Sequence, residues 1–121
     1  MNSWKPVSRE QISEFIENGS AEFTEEEYRF FKAISIPPEK WQLAPWGNEG
    51  DGFWVVGIIG EWIIWYNDIE EGFNSSTYSK HGEIGQYWCD QDDFQWAVKF
   101  LKSYLDTGIH KAKLGPPIPV D

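Results

Sequence analysis

The chain has one cysteine, Cys89, among its 121 residues. No internal disulfide can form, and a cysteine cluster for zinc is excluded as well. Histidine is scarce too, and neither His81 nor His110 belongs to a ligand pair of the H-x-x-x-H kind. Long apolar runs are missing. The longest, near Val55–Ile64, is broken by Gly57, Gly60 and Glu61 and falls far short of the ~20 residues that span a bilayer. The opening residues MNSWKPVSREQ have no apolar signal region, so a cytoplasmic chain without a membrane partner is expected. Positive charge is in short supply: ten Lys and Arg stand against twenty Asp and Glu, a formal charge of −10. That balance argues against direct binding of DNA or RNA, which depends on cations meeting phosphates. No Ser or Thr stands in a nucleophile elbow, and the glycines of WGNEGDG are followed by no Lys, so a phosphate loop is excluded.

Aromatic residues, by contrast, are abundant: eight Trp, eight Phe and five Tyr. Each ring can bury about 150–250 Å², so few positions are needed to fill a core. The length fits one domain over residues 1–121, with 109–121 as a loosely ordered or docked tail rich in Pro and Gly. Negative charge is also unevenly placed. Between Trp41 and Val98 ten acids face one base, Lys80, so that segment carries −9 of the total −10. Such a field favours a cationic partner and speeds its approach.

The pattern predicts an α+β fold. Ser8 and Gln11 make a capping box for a first helix, with Val7 and Ile12 spaced as a hydrophobic staple and Gly19 as its stop. Thr24 and Glu27 repeat the device for a second helix, where Phe23 is expected to staple to Tyr28 and Tyr28, Phe31 and Ile34 to face inward. Pro37 and Pro38 then end it. A loop anchored by Trp41 and Trp46 leads into strands at Phe53–Ile58 and Trp62–Asn67, joined by Gly60-Glu61. A third strand is expected near Phe73–Tyr78 and a fourth at Glu83–Trp88. Asp90 and Asp93 resemble an acidic cap for a last helix, periodic from Phe94 to Leu105 and stopped by Gly108. The expected architecture is two N-terminal helices, a four-stranded antiparallel meander and a C-terminal helix packed on it. Alternation puts Trp54, Val56 and Ile58 on one face and Phe53 and Val55 on the other, so both faces are apolar. Either helices or loops cover both, or one is a docking surface.

Several sites compete. Asp68, Glu70 and Glu71 lie close enough in sequence to suggest carboxylate catalysis, but nothing fixes the separation that paired carboxylates need. Asn67, Asp68, Glu70, Glu71 and Asn74 offer oxygen ligands that fit no EF-hand spacing. Cys89 lies beside Asp90, whose charge opposes a thiolate. No catalytic residue, metal or cofactor is therefore assigned. Trp46, Trp54, Trp62, Trp65, Tyr66 and Trp88 could form a platform for sugar rings, the chemistry of a carbohydrate-binding module or a small glycan-acting enzyme. The reading preferred is a partner-binding surface in which Glu49, Asp51, Asp68, Glu70 and Glu71 supply charge and Trp46, Trp65 and Tyr66 supply anchors.

The run FWVVGIIGEWIIWYNDIEEGFNSSTYSKHGEIGQYWCDQDDFQWAV resembles small uncharacterised bacterial proteins, some of them immunity proteins of polymorphic and contact-dependent toxin systems. The likeness is carried by the opening hairpin, WYNDIEEGFN, YWCDQ and the acid-capped helix. It implies a stoichiometric inhibitor of a toxin and transfers no catalytic residue; the charge asymmetry makes a cationic, nuclease-like toxin domain the expected partner.

Overall fold

The computed structural model describes residues 6–46 and 51–108. The order is α1 (Arg9–Ser20), α2 (Glu25–Ile34), β1 (Ser35–Trp41), β2 (Phe53–Ile59), β3 (Trp62–Asn67), β4 (Gly72–Thr77) and α3 (Phe94–Thr107). The strands form one antiparallel sheet in the order β1-β2-β3-β4, so the fold is α+β as the pattern implied.

Both N-terminal capping boxes are present. Ser8 and Gln11 exchange hydrogen bonds of 2.9 and 3.2 Å, and Thr24 and Glu27 exchange bonds of 2.8 and 3.1 Å. Val7 packs on the core that buries Ile12, as a staple should. The second staple does not form: Tyr28 is exposed, and Phe23 packs instead on Phe31 and Phe94. Nor is Gly19 a stop. It lies inside α1, and a Cβ there would meet Phe94 and Gln95 at 2.9 Å, so its role is to let α1 approach α3. Asp93 is the N-cap of α3 but makes no side-chain capping bond, and Gly108 closes the helix in the left-handed conformation at φ 76°.

The sheet has the expected number of strands with one member exchanged. Ser35–Trp41, which contains Pro37 and Pro38, is an edge strand and follows α2 directly. Proline is admissible there because an edge strand leaves half its N–H groups outside the ladder, and a register irregularity between Ser35 and Glu39 accommodates the pair. Glu83–Trp88, expected as the fourth strand, runs alongside β4 without a backbone ladder. Side chains replace the rungs. Gln86 Oε1 accepts from Thr77 N at 3.1 Å, Ser76 Oγ donates to Gln86 O at 2.8 Å, and Asn67 Nδ2 donates to Trp88 O at 3.0 Å. The Asn74 amide works as a backbone mimic, donating to Asp90 O at 3.2 Å and accepting from Asp90 N at 3.1 Å. Among the described residues, the backbone bonds from this segment to β4 are Gly85 N to Thr77 O and Phe73 N to Asp92 O. This strap seats Asp90 in the interior, where it is no helix cap.

Both sheet faces are covered. The helices lie on one face, where Val56, Ile64, Tyr66 and Phe73 meet Ile12, Phe31, Phe94, Val98 and Leu101. Leu43, Trp46 and the strap lie on the other, where Val55, Ile63 and Trp65 meet Trp41 of β1, Ile84 and Tyr87. Strict alternation fails in one place. Val56 is an extra residue between the pairs Val55–Trp65 and Gly57–Ile64, so Ile58 falls on the strap face with Val55 rather than with Trp54 and Val56.

Candidate functional site

The turn between β3 and β4, Asp68–Glu71, carries the acids singled out by the sequence. Asn67 builds it: the fully buried side chain accepts from Ile69 N at 3.0 Å and Glu70 N at 3.1 Å, an Asx-type arrangement. Gln91 of the strap donates to Glu70 O at 3.0 Å, and Glu71 closes the turn in the left-handed region at φ 58°. Gly72 follows, where a Cβ would strike the Asp90 carbonyl. The turn is thus held from the sheet and from the strap, and it presents an exposed Ile69 beside Glu70 and Glu71.

Glu71 also borders a cleft of about 280 Å³ between α1, this turn and the start of α3. Phe15, Tyr66, Phe73 and Phe94 form its floor, and Glu22, Glu71, Asp92 and Asp93 supply carboxylates from three separate segments. Glu22 is held by a 2.9 Å bond from Gln95 Nε2. Neither Glu71 nor Asp93 has a lysine or arginine within ion-pair distance among the described residues. The cations lie elsewhere: Lys99 on Glu27 at 3.1 Å, Lys102 on Glu26 at 3.0 Å and Asp106 at 2.7 Å, Arg29 on Glu25 at 2.6 Å, and Arg9 and Lys40 over the Trp54 ring. Burial, with Glu71 and Asp68 nearby, pushes the Tyr66 hydroxyl up to about 12, so it remains a neutral phenol.

The sequence-level candidates are redistributed. Trp65 has no exposed surface and donates to Ser76 Oγ at 2.8 Å, and Tyr66 is 7% exposed, so both are core residues and not anchors for a partner. Trp46 is half-buried and stacked on Tyr87 at 4.2 Å. Asp68 is turned inward at 5% exposure, where burial raises its carboxyl against the opposing bond from Val7. Asp51 is exposed at the entrance to β2, and Glu49 lies outside the described residues. The structure therefore keeps Glu70 and Glu71 at a surface and joins to them Glu22, Asp92 and Asp93. Of those three, the sequence pattern singles out only Asp93, as part of an acidic cap. Only the tertiary approach of α1 and α3 to the turn groups them, and no local spacing encodes it.

The remaining chemistry is committed internally. Asn67 and Asn74 bond backbone groups, and among the described residues no cluster of three His, Cys, Asp or Glu is placed to hold a metal ion. Burial pushes the Cys89 thiol up, and Glu70 and Asp90 add to that, which opposes a thiolate nucleophile. His81 contacts Glu39 at 3.1 Å and lies against Trp41. Of the platform rings, Trp54, Trp62 and Trp88 are half-buried like Trp46, while the exposed tryptophan among the described residues is Trp96 on α3. No helix among the described residues is long and apolar enough to cross a membrane. Comparison of the chain with protein-family models, curated proteins and solved structures finds no match.

Proposed function

We propose that the protein is a cytoplasmic immunity-type binding partner that inhibits a cationic, nuclease-like toxin domain by occupying its active cleft. The supporting observation is the meeting of Glu22, Glu71, Asp92 and Asp93 on one cleft, beside a turn whose backbone is held by Asn67 and Gln91. An enzyme that grips nucleic acid presents Lys and Arg to phosphates, and a fixed anionic surface is complementary to that array. A held turn suits the role because little conformational freedom is lost on association. Glu70 and Glu71 supply charge, and Ile69 supplies apolar contact at the tip.

The test is a stoichiometric inhibition assay against cationic nuclease toxin domains, with association rates measured across a salt series. One-to-one inhibition is expected, with association slowing by about ten-fold or more as screening rises. The combined substitution Glu70→Gln, Glu71→Gln and Asp93→Asn is expected to slow association while leaving the fold intact. A rate indifferent to salt and to these substitutions would refute the reading.

A further inference from the structure

Asp68 is the one acid of the turn that faces inward, and it does so at a junction. Its carboxylate Oδ2 accepts from Val7 N at 3.1 Å, and the Val7 carbonyl accepts from Trp54 Nε1 at 2.7 Å. Both backbone groups of Val7 are therefore clamped by side chains of the sheet region. Val7 immediately precedes Ser8, the N-cap of α1, so a carboxylate stands at the positive end of that helix, where a negative charge is favoured. Lys40 on β1 and Arg9 on α1 flank the Trp54 ring at 5.0 and 5.2 Å, and Lys40 also favours the charged form of Asp68. Asp68 and Glu71 both lie near the Tyr66 hydroxyl, which stays neutral.

These contacts connect the two walls of the acidic cleft. One wall is α1, through Phe15, Asn18 and Gly19, and the other is the turn, through Glu71. We propose that Asp68 is a positioning residue: by accepting from Val7 while beginning the acidic turn, it fixes the start of α1 against the turn and so sets the spacing between the cleft walls. The binding role of that spacing rests on the function proposed above, whereas the clamp itself stands or falls without a partner.

The experiment compares the full chain with Asp68→Ala and Asp68→Asn by amide hydrogen exchange and by following the Val7 amide resonance with pH. Asp68→Ala removes the acceptor, and exchange at the Val7 amide and the Trp54 indole is expected to rise about ten-fold or more, with Ile63 and Ile64 in β3 unchanged. Asp68→Asn keeps an acceptor oxygen and should restore protection at both sites. In the wild type the Val7 resonance should titrate with a midpoint above the ordinary aspartate value, and in Asp68→Asn that step should vanish. If Asp68→Ala unfolds the whole sheet, the Asn variant and the titration still decide. Unchanged protection in a folded Ala variant, or a Val7 amide with no carboxylate step, overturns the proposal. Failure of toxin inhibition with these signatures intact would instead reject only the binding role.

Discussion

Asn74 shows how much can depend on one side chain. It is 1% exposed, and its amide supplies both a donor and an acceptor to the Asp90 backbone. Replacement by Ala leaves two buried backbone groups without partners, at roughly 1–3 kcal/mol each. Asn74→Ala should therefore lower unfolding stability by about 2–6 kcal/mol in urea titrations, and the near-ultraviolet signal of the strap-side tryptophans should weaken. Asp68 gives a pH prediction with a definite sign. Burial raises its folded-state pKa above the usual aspartate value, so between the two values the folded chain holds the proton more tightly than the unfolded chain. Stability relative to Asp68→Asn should therefore fall as pH rises through the folded pKa, and flatten below the unfolded one. Denaturant titrations from acidic to neutral pH measure this, and a relative gain with rising pH would mean that the Val7 bond and Lys40 outweigh burial. Residue types made the inertness of Cys89 legible, but Trp65, expected as an anchor for a partner, is buried, and the inward turn of Asp68 depends on Val7, 61 positions away.

At the level of elements, the helices were the most legible part, because both capping boxes and the period of α3 are local signals. Thr24→Ala should cost about 1 kcal/mol, measured by thermal or chemical unfolding, since it removes the acceptor for Glu27 N and frees one end of the box. The sheet was legible in three of its four strands, β4 at Gly72–Thr77 being the strand expected near Phe73–Tyr78. Its first strand was hidden because Pro37-Pro38 reads as a stop in any context except an edge, and edge position is a tertiary property. The strap misled in the opposite direction. Glu83–Trp88 alternates like a strand, but it is held by the side chains of Ser76 and Asn67 and by its own Gln86 side chain on the Thr77 amide rather than by a continuous backbone ladder. Gln86→Ala should accordingly loosen exchange protection of the Thr77 amide while leaving the β2–β3 amides protected.

Across the whole molecule, the charge asymmetry of the sequence survives folding in a narrower form. The acids of α2 and the end of α3 meet lysines, and Asp68 and Asp90 turn inward, which leaves an anionic group around the β3–β4 turn, while Glu10, Glu14 and Glu17 on α1, Asp51 and Glu61 are exposed elsewhere. That grouping was only half legible, since Glu70 and Glu71 are adjacent in sequence while Glu22 and Asp93 reach them through helix packing.

The extra residue in β2 has a separate consequence for how the chain tolerates changes in length. Loss of Val56 would bring the pairs on either side of it into unbroken succession, leaving every flanking side chain on its present face at the expense of one filled core position. Loss of Gly57 would do the same, because Val56 and Gly57 both face the helical layer, whereas loss of Trp54 or Val55 would carry a neighbouring side chain across to the other layer. Shorter versions of this strand are thus confined to the adjacent pair Val56 and Gly57.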